Sequence, residues 1–233
     1  MCGRYTLALS PEMIANSFDI SLDGFEFVPR YNIAPSQEVL TVTNRGEGNS
    51  AQGMRWGLVP FWAKDTKIGY KMINARAETV ADNNAFKHAF RRRRCLIPAD
   101  SFYEWRGTGK SKTPLRIMLK SEEPFAFAGI WETWQDKKDP TAGPLLSCSI
   151  ITTVPNSLVE PIHNRMPVIL PEELYAEWID PHNEDTGALR ELLLPYDPAL
   201  MTAYEVSTLV NSPRNQGPEV AAPAAGQLTL GEA

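Results

Sequence analysis

TPLRIMLK (113–120), PFAFAGIWETW (124–134) and LLSCSIITTV (145–154) decide the fold of this chain. They are rich in Phe, Ile, Thr and Val, whose flat or branched side chains fit a pleated surface, and they predict strands. Working outward, QEVLTVT (37–43) reads as a strand, NRGEGNS (44–50) as a turn, and AQGMRWGL (51–58) as the return strand of a hairpin. Residues 3–9 alternate weakly and form a short strand. CLIPADSFYEWR (95–106) is a strand interrupted by Pro98, and AYEVSTLV (203–210) is the last one. Helices are few. PEMIANSF (11–18) follows Ser10, a good N-cap, and opens on Pro11. The second half of 78–94, PEELYAEWID (171–180) and TGALRELLL (186–194) supply the others. The pattern predicts an α+β protein: a mostly antiparallel, curled sheet or barrel-like β core with short helices packed outside. It predicts one domain over 1–219 and a flexible tail over 220–233.

Composition narrows the function. No apolar run approaches the ~20 residues that span a bilayer. The N-terminus lacks a basic segment followed by an apolar stretch, so no secretory signal and no membrane partner are expected. The three cysteines, Cys2, Cys95 and Cys148, are far apart and odd in number. They point to the reducing cytoplasm, and with no CxxC, HExxH or Cys/His cluster neither metal nor other cofactor is expected. Net charge is −5, yet residues 55–116 carry 14 Lys and Arg against 5 Asp and Glu, while the remainder carries 9 against 23. That central third is either a phosphate-binding face or a solvated basic surface. Nothing demands more than a monomer.

Cys2 follows the initiator methionine. Once Met1 is removed, the chain begins with a free α-amine and a thiol on adjacent carbons. Such a 1,2-aminothiol condenses with an aldehyde to an imine, and its sulfur closes on the imine carbon as a five-membered thiazolidine. Ordinary α-amines and thiols ionise near ~8 and ~8.5, so both nucleophiles are accessible near neutrality. Taken alone, Cys2 reads as an accident of a frayed terminus.

Seven ordered blocks overturn that reading: MCGRY (1–5), RYNIAPSQ (30–37), WGLVPFWAKD (56–65), INARAET (73–79), CLIPADSFYEW (95–105), IHNRMPVIL (162–170) and RNQGPE (214–219). Together they resemble the SOS response-associated peptidase (SRAP) family, whose members are abasic-site processing proteins. The resemblance implies covalent capture of the abasic-site aldehyde in single-stranded DNA. Cys2 matches the family's nucleophile, Asn74 its active-site amide, Glu104 its catalytic carboxylate and His163 its histidine. An amide offers donor and acceptor together, a carboxyl delivers protons, and imidazole shuttles them near neutral pH. In an alternating strand Phe102 and Glu104 share a face, so an inward Phe102 carries the carboxylate inward.

Within the same blocks, Arg76 shares the side of Asn74 and is placed to hold a phosphate, with Glu78 as its ion-pair partner. Arg4, Asn32, Pro35 and Trp62 complete the expected DNA-binding set. Trp56 is expected in the core and Trp62 on a loop where bases stack. The run Arg91–Arg94 adds general backbone attraction. Two other readings use the same residues: a cysteine peptidase limited to autoproteolysis, with Cys2, His163 and Glu104, and a non-covalent single-strand binder.

Overall fold

The computed structural model describes residues 2–109, 112–139 and 141–224. Its elements run β1 (Tyr5–Leu7), α1 (Pro11–Phe18), β2 (Arg30–Ile33), β3 (Glu38–Asn44), β4 (Asn49–Trp56), β5 (Asn74–Arg76), α2 (Lys87–Arg92), β6 (Arg94–Ala99) and β7 (Ser101–Arg106). They continue with β8 (Thr113–Leu119), β9 (Phe125–Trp134), β10 (Leu145–Thr153), β11 (Met166–Pro167), β12 (Ile169–Leu170), α3 (Tyr175–Ile179), α4 (Thr186–Glu191) and β13 (Met201–Glu205). The three deciding stretches are β8, β9 and β10.

The expected 37–58 hairpin forms from β3 and β4, in register from Glu38 opposite Arg55 to Asn44 opposite Asn49. The sheet then closes. β10 pairs with β9 along one edge and with β4 along the other, while β3, β6 and β9 complete the ring. Only the β10–β4 contact in this barrel is parallel. β5 adds to β10 in parallel beyond β4, with Asn74 opposite Ile150. A second, antiparallel sheet has the order β13-β8-β7-β1-β2. The fold is therefore α+β with a closed five-strand barrel, a flanking antiparallel sheet and short helices outside.

Residues 94–106 link the two sheets. The expected interruption at Pro98 falls instead at Asp100. β3 meets β6 only through Val42 and Leu96, so Pro98 removes no ladder bond on that edge and stays in the strand opposite Ala126. At Asp100 the carboxylate accepts hydrogen bonds from Thr6 Oγ1 and the Ala8 amide, and the chain crosses to the second sheet. The last strand also differs from expectation. It spans Met201–Glu205, because the Ser207 hydroxyl accepts from Leu209 N and opens a helical turn. The 171–180 helix is realised as a 3-10 turn, Glu172–Leu174, running into α3.

β1 has only three residues and is held more by packing than by its ladder. Tyr5 is buried against Trp56 and Phe127 in edge-on contacts, with ring centroids 5.3 and 5.6 Å apart. Full burial of such a side chain stabilises by ~1.5–3 kcal/mol, and an aromatic pair adds ~0.5–1.5 kcal/mol. α1 is capped as expected, Ser10 Oγ accepting from Met13 N at 3.2 Å. The beginning of the expected tail is packed: Val220 is buried and Ala224 N donates to Glu205 O at 2.9 Å. Residues 225–233 lie outside the described residues. Among those described, no helix is long and apolar enough to cross a membrane.

Candidate active site

The register of β1 places the N-terminus. Tyr5 lies opposite Phe102 and Thr6 opposite Ser101, and the pairing continues through Tyr103 N donating to Arg4 O at 2.9 Å. Two residues further on, Cys2 sits beside Glu104. Cys2 is fully buried, and its carbonyl accepts a 2.8 Å hydrogen bond from Asn74 Nδ2. Asn74 opens β5, so it is fixed by the β10 ladder. Its Oδ1 is buried and has no hydrogen-bond partner among the described residues. One planar amide thus grips the Cys2 backbone with its donor and leaves an acceptor beside it. Met1, whose removal the aminothiol reading requires, lies outside the described residues.

Glu104 is inward, as its spacing from Phe102 requires: it is 3% exposed and Phe102 is fully buried. β7 is covered on both faces, because Tyr103 packs oppositely among Val206, Val210 and Val220. Burial raises the Glu104 carboxyl above the usual carboxylate range, while nearby His163 favours the charged form. Burial, then the charge of Glu104, pushes the Cys2 thiol far above its ordinary range. The two acids are coupled, and either one ionises more readily while the other holds its proton.

His163 is half-buried. The Arg165 amide donates to its Nδ1 at 3.0 Å, so Nδ1 accepts and the proton of the neutral ring is assigned to Nε2. The Arg165 guanidinium bonds Thr152 O at 2.5 Å and both Glu78 carboxylate oxygens. Sequence reading paired Glu78 with Arg76, but Arg165 takes it. Anchored on the Thr152 carbonyl, Arg165 presents the planar fork that a carboxylate fits with two bonds, and its hydrogen bond holds Glu78 below the usual range. Arg165 therefore ties the His163 loop to β10 and to the chain after β5. It was missed, although it stands two residues beyond His163 in the same block. Arg76 is left exposed, with no ion pair among the described residues.

The expected DNA-binding residues separate into two groups. Arg4 Nη1 donates to Asn32 Oδ1 and to Val210 O, each at 2.7 Å. Asn32 is fully buried, and its Nδ2 donates to Ser212 O and Asn215 O at 2.9 Å. These two residues bind the N-terminus to the 208–216 segment. Pro35 is half-buried in the turn after β2. Trp62 and Phe61, in contrast, are 45% and 51% exposed on the loop before β5. Trp56 belongs to the core as expected and donates to Ile73 O at 2.9 Å, next to Asn74. The arginine run is engaged within the fold: Arg91 and Arg92 pair with Glu184, Arg93 with Glu132, and buried Arg94 donates to five backbone carbonyls, those of Phe90, Arg91, Trp178, Asp180 and Asn183. No group of three or more His, Cys, Asp and Glu among the described residues is placed to hold a metal ion.

Comparison with known proteins gives a consistent picture. Residues 1–213 match the family profile described as SOS response associated peptidase (SRAP). The abasic site processing protein YoqW of Bacillus subtilis (strain 168) is 52% identical over 223 residues, covering 94% of this chain and 98% of that protein. The abasic site processing protein HMCES of Xenopus tropicalis is 29% identical over 94% of this chain and 77% of its own. A crystal structure of a protein from Bacteroides thetaiotaomicron superposes with a TM-score of 0.84 at 28% identity, over 96% of this chain and 100% of that one.

Proposed function

This chain belongs to the SOS response associated peptidase family, and from that premise we propose that it processes abasic sites in DNA by capturing the lesion's aldehyde on Cys2. The names of its relatives support abasic-site processing. The covalent step is supported chiefly by one observation: Asn74 holds the Cys2 backbone beside a buried, proton-retaining Glu104.

After loss of Met1, the neutral α-amine of Cys2 adds to the carbonyl carbon of the ring-opened deoxyribose and gives a carbinolamine. Glu104 donates its proton to the carbinolamine oxygen, water departs, and an iminium forms. The carboxylate so created takes the proton of the Cys2 thiol, and the sulfur closes on the iminium carbon. The net reaction joins aldehyde and aminothiol with loss of one water, and Glu104 ends protonated as it began. Burial suits it to this cycle, because an acid whose pKa is raised both gives and recovers a proton near neutral pH. Ring closure consumes the iminium, which otherwise hydrolyses or promotes β-elimination. Asn74 orients the amine with its free oxygen, and His163 moves protons at the sugar oxygen. Arg76 holds a flanking phosphate and Trp62 stacks on a base. Arg4, Asn32 and Pro35 serve binding by fixing the strand that carries Cys2. We place this activity in the cytoplasm, on single-stranded DNA, with the protein acting as a monomer.

The test is intact mass spectrometry of the purified protein, with and without a single-stranded oligonucleotide bearing one abasic site. The expected species lacks Met1 and carries the oligonucleotide minus one water, and its band survives heat on a denaturing gel. Retention of Met1, or equal adduct formation after acetylation of the N-terminus, rules the reading out. Cleavage of a peptide in trans without any adduct would favour the peptidase instead. Salt-sensitive binding with no adduct would favour simple strand binding.

A further inference from the structure

We infer that the groove between β12 and the 191–200 segment is a docking site for a peptide segment of a partner protein, one that presents apolar side chains flanked by lysine or arginine. The groove encloses about 470 Å³, enough to accept more than one leucine-sized side chain, and none of the residues placed around Cys2 lines it. Its apolar lining includes Ile169, Leu174, Leu194 and Leu200, of which Leu194 and Leu200 are 64% and 53% exposed. Both leucines line the same concavity and offer a seat to a partner's apolar side chains. β12 ends the larger sheet, and its Ile169 forms part of one wall of the groove.

Charge selects the partner. Glu172, Glu173, Glu191 and Asp197 line the same groove, all are exposed, and none has an ion-pair partner among the described residues. No Lys or Arg lines it. Arg190, the nearest base in sequence, is turned away to Glu78 O and Asp82. The field is felt within the groove: after burial, the charges of Glu173 and Asp197 raise the Tyr196 hydroxyl. DNA is repelled by such a rim and a basic peptide is drawn to it. The acidic excess outside residues 55–116 thereby acquires a use distinct from that of the basic centre.

The experiment titrates the full chain with a short, labelled, amidated peptide of alternating leucine and arginine, with a leucine–glutamate peptide as control. It reads fluorescence anisotropy and backbone amide NMR shifts. The expected result is saturable shifts at Ile169, Leu174, Leu194 and Leu200, no binding of the acidic control, and affinity about tenfold weaker in the Glu172→Gln, Glu173→Gln, Glu191→Gln triple variant. Leu194→Ser, an exposed change, should weaken binding as well, and adduct formation with abasic DNA should be unaffected in both variants. Shifts confined to other surfaces, equal affinity for the triple variant, or equal binding of the acidic control overturns the inference. So does a concentration-dependent dimer that Leu194→Ser dissolves, which would assign the groove to a second copy of this chain.

Discussion

Replacing Asn74 tests how the nucleophile is set. Asn74→Ala removes one half-buried 2.8 Å hydrogen bond to the Cys2 carbonyl and the free acceptor beside it. One such bond is worth a net ~0.5–1.5 kcal/mol. In a chain of this size a loss of about 1 kcal/mol lowers Tm by about 2–4 °C, so the fold survives. The larger effect is on rate. With Cys2 no longer held, the amine leaves its attack geometry, and misplacement by about 1 Å costs on the order of 100-fold. Single-turnover adduct formation on an abasic oligonucleotide, resolved on denaturing gels, should therefore slow by about 10- to 100-fold, while affinity for the undamaged strand is unchanged. Asn74→Asp discriminates further. The carboxylate has no donor for the Cys2 carbonyl, and its charge favours the ammonium form of the α-amine. The rate should fall at neutral pH and recover as pH rises. An Asn74→Ala rate within a factor of about two of the parent, or an Asp variant with the parent's pH profile, would refute this account.

Glu104→Gln should slow adduct formation by about 100-fold or more, the scale of a lost general acid. It should also stabilise the fold above the acid range. The carboxyl's folded pKa is raised, so its favourable protonated form is present below the ordinary carboxylate pKa and lost as pH rises through the folded value; Tm of the variant should exceed the parent's at neutral pH and converge with it in acid. Trp62→Ala should weaken single-strand binding by ~1–3 kcal/mol with little change in stability, whereas Trp56→Ala, in the core, should destabilise by ~3–5 kcal/mol in denaturant titration. Arg76→Gln should reduce the slope of log K against log salt by about 0.7, the contribution of one phosphate contact on a single strand, as read from binding isotherms at several salt concentrations.

Local rules carried much of this structure. Ser10 and Pro11 opened α1, the turn at 44–50 folded β3 onto β4, and β-branched runs gave β8, β9 and β10. Barrel closure was not legible: β10 folds back on its neighbour β9 as a hairpin, but the ring closes only where β10 also meets β4, far away in sequence. Pro98 misled because a breaker acts only where the ladder needs its N–H, and β3 has already left that edge. At the site, alternation alone put Glu104 on the face of Phe102, and both proved buried. The partner of Glu78 was not legible for the opposite reason: Arg165 is 87 residues away in sequence and reaches it only through the fold. Asn32 looked like a surface reader in its block but spends its amide on carbonyls of the 210–215 stretch.

That last tie has a temporal meaning. The segment bearing Cys2 is synthesised well before its anchors: Arg4 is held on Val210, 206 residues further along, and Asn32 on Ser212 and Asn215. On the proposed reading, a nascent chain holds Cys2 unaimed until the 210–215 stretch has been made. Fragments released early, or clipped before residue 210, carry Cys2 without the brace that fixes its segment.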